Sequence, residues 1–286
     1  MIFKDNYLTP AGSGDTFSIN FDKLPLRGNY FEESLLAAQE LESKKEGNLY
    51  LMYSGGVDSE YALSCFIHQG IKITPVIVKL NPGYNDYDTK YAFKFCSAKG
   101  LDPLVIDIDY DDFIQSGKML EISLETKSSV PHYSTTAFAI GQLDGTVICG
   151  DGEPYIKLDT ETNTWNIVIY EYEFALPNFY KQHNIPGTPR FNNYTRYMER
   201  AFLEDRRMKE LASKLVPGKL GSHSSKYLIY NRHSNFRLES RQKYHGLEKI
   251  EKSDIYNHIT FKKLKIIGSS FDGVYSTDFF EFMNRL

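Results

Sequence analysis

Between Asn48 and Cys149, short apolar runs alternate with helix-length segments, and this alternation limits the folds open to the chain more than any other feature. The runs are Asn48–Tyr53, Ile71–Leu80, Leu104–Ile108 and Thr146–Cys149. The segments Glu60–Gln69, Tyr87–Lys99 and Pro131–Leu143 read as helices, and Gly70 and Gly100 close the first two. Tyr30–Glu46 reads as a further amphipathic helix ahead of the first run, stopped by Gly47. Apolar runs without strict polar alternation are buried on both faces, which requires a parallel sheet covered by helices on each side. Right-handed crossovers then predict a doubly wound, mostly parallel, Rossmann-like α/β sheet.

After Pro154 the pattern changes. Tyr155–Asp159 and Trp165–Phe174 flank Thr160–Thr164 and predict a β-hairpin. Pro177–Pro189 reads as loop, and Tyr194–Leu215 as one basic amphipathic helix. The expected organisation is an arm and helix over 1–47, a nucleotide-binding domain over 48–154, and a hairpin with a helical basic region over 155–286. No apolar run approaches the roughly 20 residues a membrane helix needs, and the start Met1–Asp5 lacks the apolar region of a secretory leader. Three scattered cysteines form no disulfide framework or zinc set, so a cytoplasmic location is expected.

The net charge of −4 conceals an uneven distribution. Residues 1–150 hold 12 Lys/Arg against 20 Asp/Glu, whereas 181–265 hold 19 against 8. The basic stretch has three readings: a solvated helix face, a cationic wall over an active site, or an RNA-binding surface. Arg196, Arg200, Arg206 and Arg207 fit a phosphate clamp or a solvated face.

Ser54-Gly55-Gly56-Val57-Asp58-Ser59 falls between the first predicted strand and its helix. Two glycines bring backbone N–H groups close to an anion, and the following helix N-terminus adds donors and a favourable dipole. The Ser54 and Ser59 hydroxyls add more. Asp58 suits such a place only if a divalent cation, with Mg²⁺ expected, bridges it to the phosphates. The plain alternative is a glycine turn with Asp58 as the N-cap of the following helix. The loop lacks the Gly-Lys-Ser/Thr ending of a Walker loop and the Gly-x-Gly-x-x-Gly spacing of dinucleotide folds.

Ser-Gly-Gly-x-Asp-Ser resembles the signature of the PP-loop ATP pyrophosphatases, whose Rossmann-like fold is of the HUP type. The resemblance covers about residues 30–154. Within that superfamily the chain looks most like the synthetase domain of asparagine synthetase and its β-lactam synthetase relatives. The helix ahead of the loop strand, Tyr87-Asp88 at the entry to the second helix, Gly150-Asp151-Gly152-Glu153 after the fourth strand, and Ser240-Arg241-Gln242-Lys243 carry that likeness.

The resemblance implies an enzyme that cleaves ATP to AMP and pyrophosphate, with ATP and Mg²⁺ as cofactors. By it, Ser54, Gly55, Gly56, Val57, Asp58 and Ser59 bind the pyrophosphate, and Met52, Val78 and Gly150 contact the adenosine. Asp58 would hold Mg²⁺, Asp151 would face the substrate, and Lys243 would stabilise charge on the α-phosphate. The family's second acidic metal ligand falls where this chain has Pro154 and Tyr155, so Glu153 or Asp151 takes that role, or metal binding is altered.

A small-molecule carboxylate or amide is the expected substrate, with ammonia from a separate donor or an amine as nucleophile. Two alternatives stand beside this reading: an RNA-modifying PP-loop enzyme using 181–265, and a non-catalytic nucleotide-binding regulator. Cys149 reads as a buried structural thiol or a sulfur-transfer nucleophile, Cys65 and Cys96 as core, and His132 as a general-base candidate.

Overall fold

The computed structural model describes residues 9–10, 17–18, 27–151, 155–158, 165–170, 175–212, 220–221, 223–231, 238, 241, 247–271 and 274–278. Strands β1 (Thr9–Pro10) and β2 (Phe17–Ser18) pair with each other. Helix α1 (Tyr30–Ser43) then leads into β3 (Asn48–Met52), α2 (Val57–His68), β4 (Thr74–Asn81), α3 (Asp86–Lys99) and β5 (Leu104–Asp109). Three helices follow, α4 (Tyr110–Gln115), α5 (Lys118–Thr126) and α6 (Pro131–Ile140), before β6 (Gly145–Cys149). The second half contributes β7 (Tyr155–Leu158), β8 (Trp165–Tyr170), α7 (Ala175–His183), β9 (Gly187–Thr188), α8 (Arg196–Leu203) and α9 (Arg206–Ala212). It ends with β10 (Leu220–Gly221), α10 (His223–Tyr230), α11 (Ile259–Phe271) and β11 (Val274–Asp278).

The central sheet has the order β5-β4-β3-β6-β9 and every pairing in it is parallel. Period-two alternation along β3 divides its side chains between two cores. Leu49 and Leu51, with Tyr53 just beyond the strand, join α1, α2, α3 and α8 on one face, while Tyr50 and Met52 join α4, α5, α6, α7 and α11 on the other. The doubly wound fold follows from this arrangement, because the crossovers through α2 and α3 cover one face and the return from β5 to β6 covers the other. A second sheet, β10-β7-β8-β11, is antiparallel and includes the expected hairpin of β7 and β8.

Four features differ from the sequence reading. Helix α2 starts at Val57, so Val57, Asp58 and Ser59 belong to its first turn rather than to a preceding loop. The stretch Pro177–Pro189 contains most of α7 and all of β9, and β9 extends the sheet beyond the boundary drawn at 154. The single helix expected over Tyr194–Leu215 is broken at Glu204-Asp205 into α8 and α9, where the Asp205 carboxylate accepts the Arg207 N–H at 2.9 Å. Helices α4 and α5 occupy a stretch for which the sequence pattern offered no assignment. Among the described residues, no helix is long and apolar enough to cross a membrane.

Candidate active site at the strand-order reversal

The order of the sheet reverses between β3 and β6: β4 and β5 lie to one side of β3, and β6 to the other. A crevice opens at the carboxyl ends of strands at such a reversal, and ligands of open α/β sheets bind there. Met52 pairs with Cys149, so Ser54–Ser59 and Gly150-Asp151 leave the sheet side by side. The sequence motif and its distant acidic partner therefore meet at the place the topology provides for a ligand.

Local packing explains the glycines. Gly55 has φ +85°, and a Cβ there would lie 2.5 Å from the Asp88 carbonyl oxygen in α3. A Cβ on Gly150 would lie 2.5 Å from Ser59 Cα and 3.0 Å from the Asp58 carbonyl oxygen. These two glycines let α3 and the end of β6 close on the start of α2. Gly56 is the N-cap of α2 and supplies no side-chain acceptor to its first-turn N–H groups. An α-helix leaves its first four N–H groups without intrahelical acceptors, so this end is chemically suited to an anion. The loop is stiffened by its own hydroxyls: Ser54 Oγ accepts from Gly56 N at 3.2 Å and lies 3.2 Å from Ser59 Oγ, which donates to the Gly56 carbonyl at 3.1 Å.

Residues far along the chain reach this loop. The Lys226 ammonium donates to Asp58 Oδ2 at 2.7 Å, and the Tyr230 hydroxyl donates to Oδ1 at 3.0 Å. Arg241 donates to the Gly55 carbonyl and lies 2.8 Å from Glu60 Oε2, which also accepts the Tyr53 hydroxyl at 2.7 Å. Burial works against the Arg241 charge, but pairing with Glu60 outweighs it and holds its pKa above the ordinary arginine value. Burial, reinforced by the Glu60 charge and hydrogen bond, raises the Tyr53 pKa, so the phenol stays protonated.

Beside the loop, burial and the neighbouring Glu248 charge push the Asp88 carboxyl up to about 6, against the opposing charges of Arg241 and Lys90. Glu248 itself accepts the Tyr87 hydroxyl at 2.9 Å.

On the β6 side, Asn192 ties the crevice wall together. Its Nδ2 donates to the Gly150 carbonyl at 2.5 Å, its backbone N–H donates to the Asp151 carbonyl at 3.0 Å, and its own carbonyl accepts the Tyr30 hydroxyl at 2.7 Å. The Tyr133 hydroxyl lies 3.4 Å from Asp151 Oδ2. Its neighbour His132, the general-base candidate, is exposed.

Cys149 is buried with Sγ 3.5 Å from the Tyr180 hydroxyl, and burial pushes its thiol up to about 12, which suits a packing role. Cys65 and Cys96 lie in the core as expected. Met52 is buried beneath the loop, and Val78 packs against the same core cluster.

Lys243 and Glu153, and with them Gly152, Pro154, Ser240 and Gln242, lie outside the described residues. Both Asp58 oxygens are engaged by Lys226 and Tyr230, so as arranged this carboxylate does not fit a ligand for Mg²⁺, and no step is derived through the metal. Among the described residues, no three His, Cys, Asp or Glu side chains gather as a metal site. Lys226, Tyr230 and Asn192 are the site residues that sequence reasoning missed, and Arg241 was noted only as part of Ser240–Lys243, with no role of its own. The basic charge of 181–265 and, for Arg241, the Ser240–Lys243 segment were the signals that pointed toward the two cations.

No protein-family model matches the chain, and no curated protein matches it. A solved structure to which it is similar is a predicted subunit of tRNA methyltransferase from Methanocaldococcus jannaschii. The two share 15% identity over 68% of this chain and 94% of that one, with a TM-score of 0.34. At that similarity nothing is carried over from it.

Proposed function

We propose that the chain binds ATP through Ser54–Ser59 and cleaves it to AMP and pyrophosphate while adenylating a carboxylate or amide oxygen of a small molecule. The observation that supports this best is the N-terminus of α2, which has no side-chain cap and opens at the strand-order reversal opposite Gly150-Asp151. A substrate oxygen attacks the α-phosphorus, and the bond from that phosphorus to the bridging oxygen of the β-phosphate breaks. Pyrophosphate departs with the bond electrons onto the loop donors. A nucleophile then adds to the activated carbon and expels AMP.

Positioning accounts for most of what the chain supplies. Ammonia or an amine as that nucleophile, as in asparagine synthetase, is the finer proposal and rests on the sequence resemblance. Asp151 is proposed to face the substrate and Lys243 to offset charge on the α-phosphate. Mg²⁺ is proposed to arrive as the counter-ion of ATP.

The small-molecule reading is favoured over the RNA reading by where the basic residues spend their charge. Arg200 pairs with Glu204, Arg207 with Asp205 and Arg241 with Glu60. Cations held in pairs within the fold contribute less to a phosphate-tracking surface than the sequence count implies.

The test incubates the protein with ATP, Mg²⁺ and a panel of carboxylate and amide metabolites and separates AMP plus pyrophosphate from ADP plus phosphate. AMP plus pyrophosphate with at least one metabolite is expected, and ADP under every condition would sink the reading. Steeply salt-dependent tRNA binding would instead favour the RNA alternative.

A further inference from the structure

We propose that Lys226 is a pyrophosphate-binding residue of this site and that Asp58 is the residue that positions it. The inference rests on the ATP-cleaving reading above and adds to it a residue outside both the loop motif and the basic segment Ser240–Lys243. Lys226 and Tyr230 stand four residues apart on α10, which places them on one helix face, one turn apart. Both reach the same carboxylate, Asp58 in the first turn of α2.

Tyr230 is fully buried and stacks on Tyr61 with ring centres 4.2 Å apart and planes inclined by 12°; Tyr30 stacks on its edge of the cluster at 5.9 Å. This stack fixes α10 against α1 and α2, and with it the Lys226 side chain.

Lys226 is 3% exposed, an unusual state for a lysine. A buried ammonium is retained only where a partner offsets its desolvation, and Asp58 does so. The placement of that pair carries the argument. Asp58 projects from the helix end that is otherwise suited to an anion, where a lone carboxylate would repel pyrophosphate. Lys226 cancels that charge from within the chain and puts a compact cation, a common phosphate ligand, at the loop. The cation beside Asp58 is therefore supplied by the protein, at the carboxylate to which the sequence resemblance assigned a metal.

A purely structural pair that pins α10 predicts different behaviour, and pyrophosphate binding without metal separates the two. Inorganic pyrophosphate is titrated calorimetrically into the full chain in the presence of a chelator, using wild type, K226R and the double variant K226M/D58N. The double variant removes both charges and leaves neither one buried alone. Binding by wild type, retained within about threefold by K226R and weakened by about tenfold or more in K226M/D58N, is expected. A cooperatively melting K226M/D58N that binds like wild type overturns the inference.

A second measurement does not depend on the folding of that variant. The ¹⁵N resonance of the Lys226 ammonium, assigned by its absence from K226R, should shift when pyrophosphate is added to wild type; an unmoved resonance overturns the inference. Wild type that neither binds pyrophosphate nor forms AMP from ATP removes the proposed function as well. Wild type that does both while K226M/D58N matches it removes only the role of Lys226.

Discussion

Replacing Gly150 by alanine adds one carbon to the tightest contact in the crevice. That carbon would lie 2.5 Å from Ser59 Cα, 2.9 Å from Ser59 N and 3.0 Å from the Asp58 carbonyl oxygen. All three atoms belong to backbone in the first turn of α2, so no flexible side chain can swing aside. Ordinary carbon–carbon contact is about 3.5–4.0 Å, which means the end of β6 and the start of α2 must part by about 1 Å. Overpacking of this kind costs about 1–3 kcal/mol. In a chain of this size that lowers the melting temperature by roughly 2–10 °C.

The larger effect falls on catalysis, because a displacement of about 1 Å at reacting groups can cost about a hundredfold in rate. Gly100→Ala is the control. Gly100 caps α3 at φ +63° with nothing within 4 Å of the added carbon, so its cost of about 1–2 kcal/mol is conformational and leaves the crevice unchanged. Calorimetric melting together with AMP release should show comparable stability losses in the two variants and an activity loss in Gly150→Ala alone. Gly150→Ala with wild-type melting and wild-type turnover would refute the packing argument.

Two further predictions concern titration and thiol chemistry. Asp88 titrates near 6 in the folded chain, above the ordinary aspartate value of 3.8, because of burial and Glu248. The folded state therefore binds the extra proton between those values, and the strain of ionising Asp88 sets in as pH rises from about 4 to about 6. Urea melts of Asp88→Asn at pH 4.5 and 7.5 should show it gaining stability over wild type at the higher pH, by less than about 3 kcal/mol after solvent screening; an equal difference at both values would exclude Asp88 as the source. Cys149, with its thiol pushed up to about 12 by burial, should resist alkylation in the native state at pH 8, and Cys149→Ala should retain ATP cleavage. Rapid native labelling at Cys149, or loss of turnover with normal melting, would restore a sulfur-transfer role.

The strands of the main sheet were legible because parallel strands buried on both faces read as apolar runs, as Leu49–Met52 and Val76–Ile77 show. The edge strand β9 was not, since Gly187-Thr188 is too short to form a run and pairs only through Val147 and Ile148. Helix α7 was hidden because Pro177–Pro189 reads as loop, although Pro177 sits in the first helical turn, where proline is tolerated. The break between α8 and α9 depends on a side-chain cap by Asp205, a residue equally at home on a charged helix face.

In the site, Ser54–Ser59 announced itself because loop geometry demands glycine at particular positions, and Gly150-Asp151 through the family resemblance. Lys226 did not, because its contact with the loop crosses 168 residues of chain and no local periodicity encodes it; Arg241 was seen only as a neighbour of Lys243, not as the group that reaches Gly55 across 186 residues.

The central claim is that an oxygen of the substrate attacks the α-phosphorus of ATP. Its most direct measurement uses whichever carboxylate or amide metabolite supports AMP release, labelled with ¹⁸O at that oxygen, and reads the products by mass spectrometry. The account predicts one ¹⁸O atom in AMP and none in pyrophosphate, since cleavage of the activated carbon–oxygen bond leaves the substrate oxygen on the nucleotide. Unlabelled AMP, or ¹⁸O appearing in inorganic phosphate alongside ADP, would contradict it.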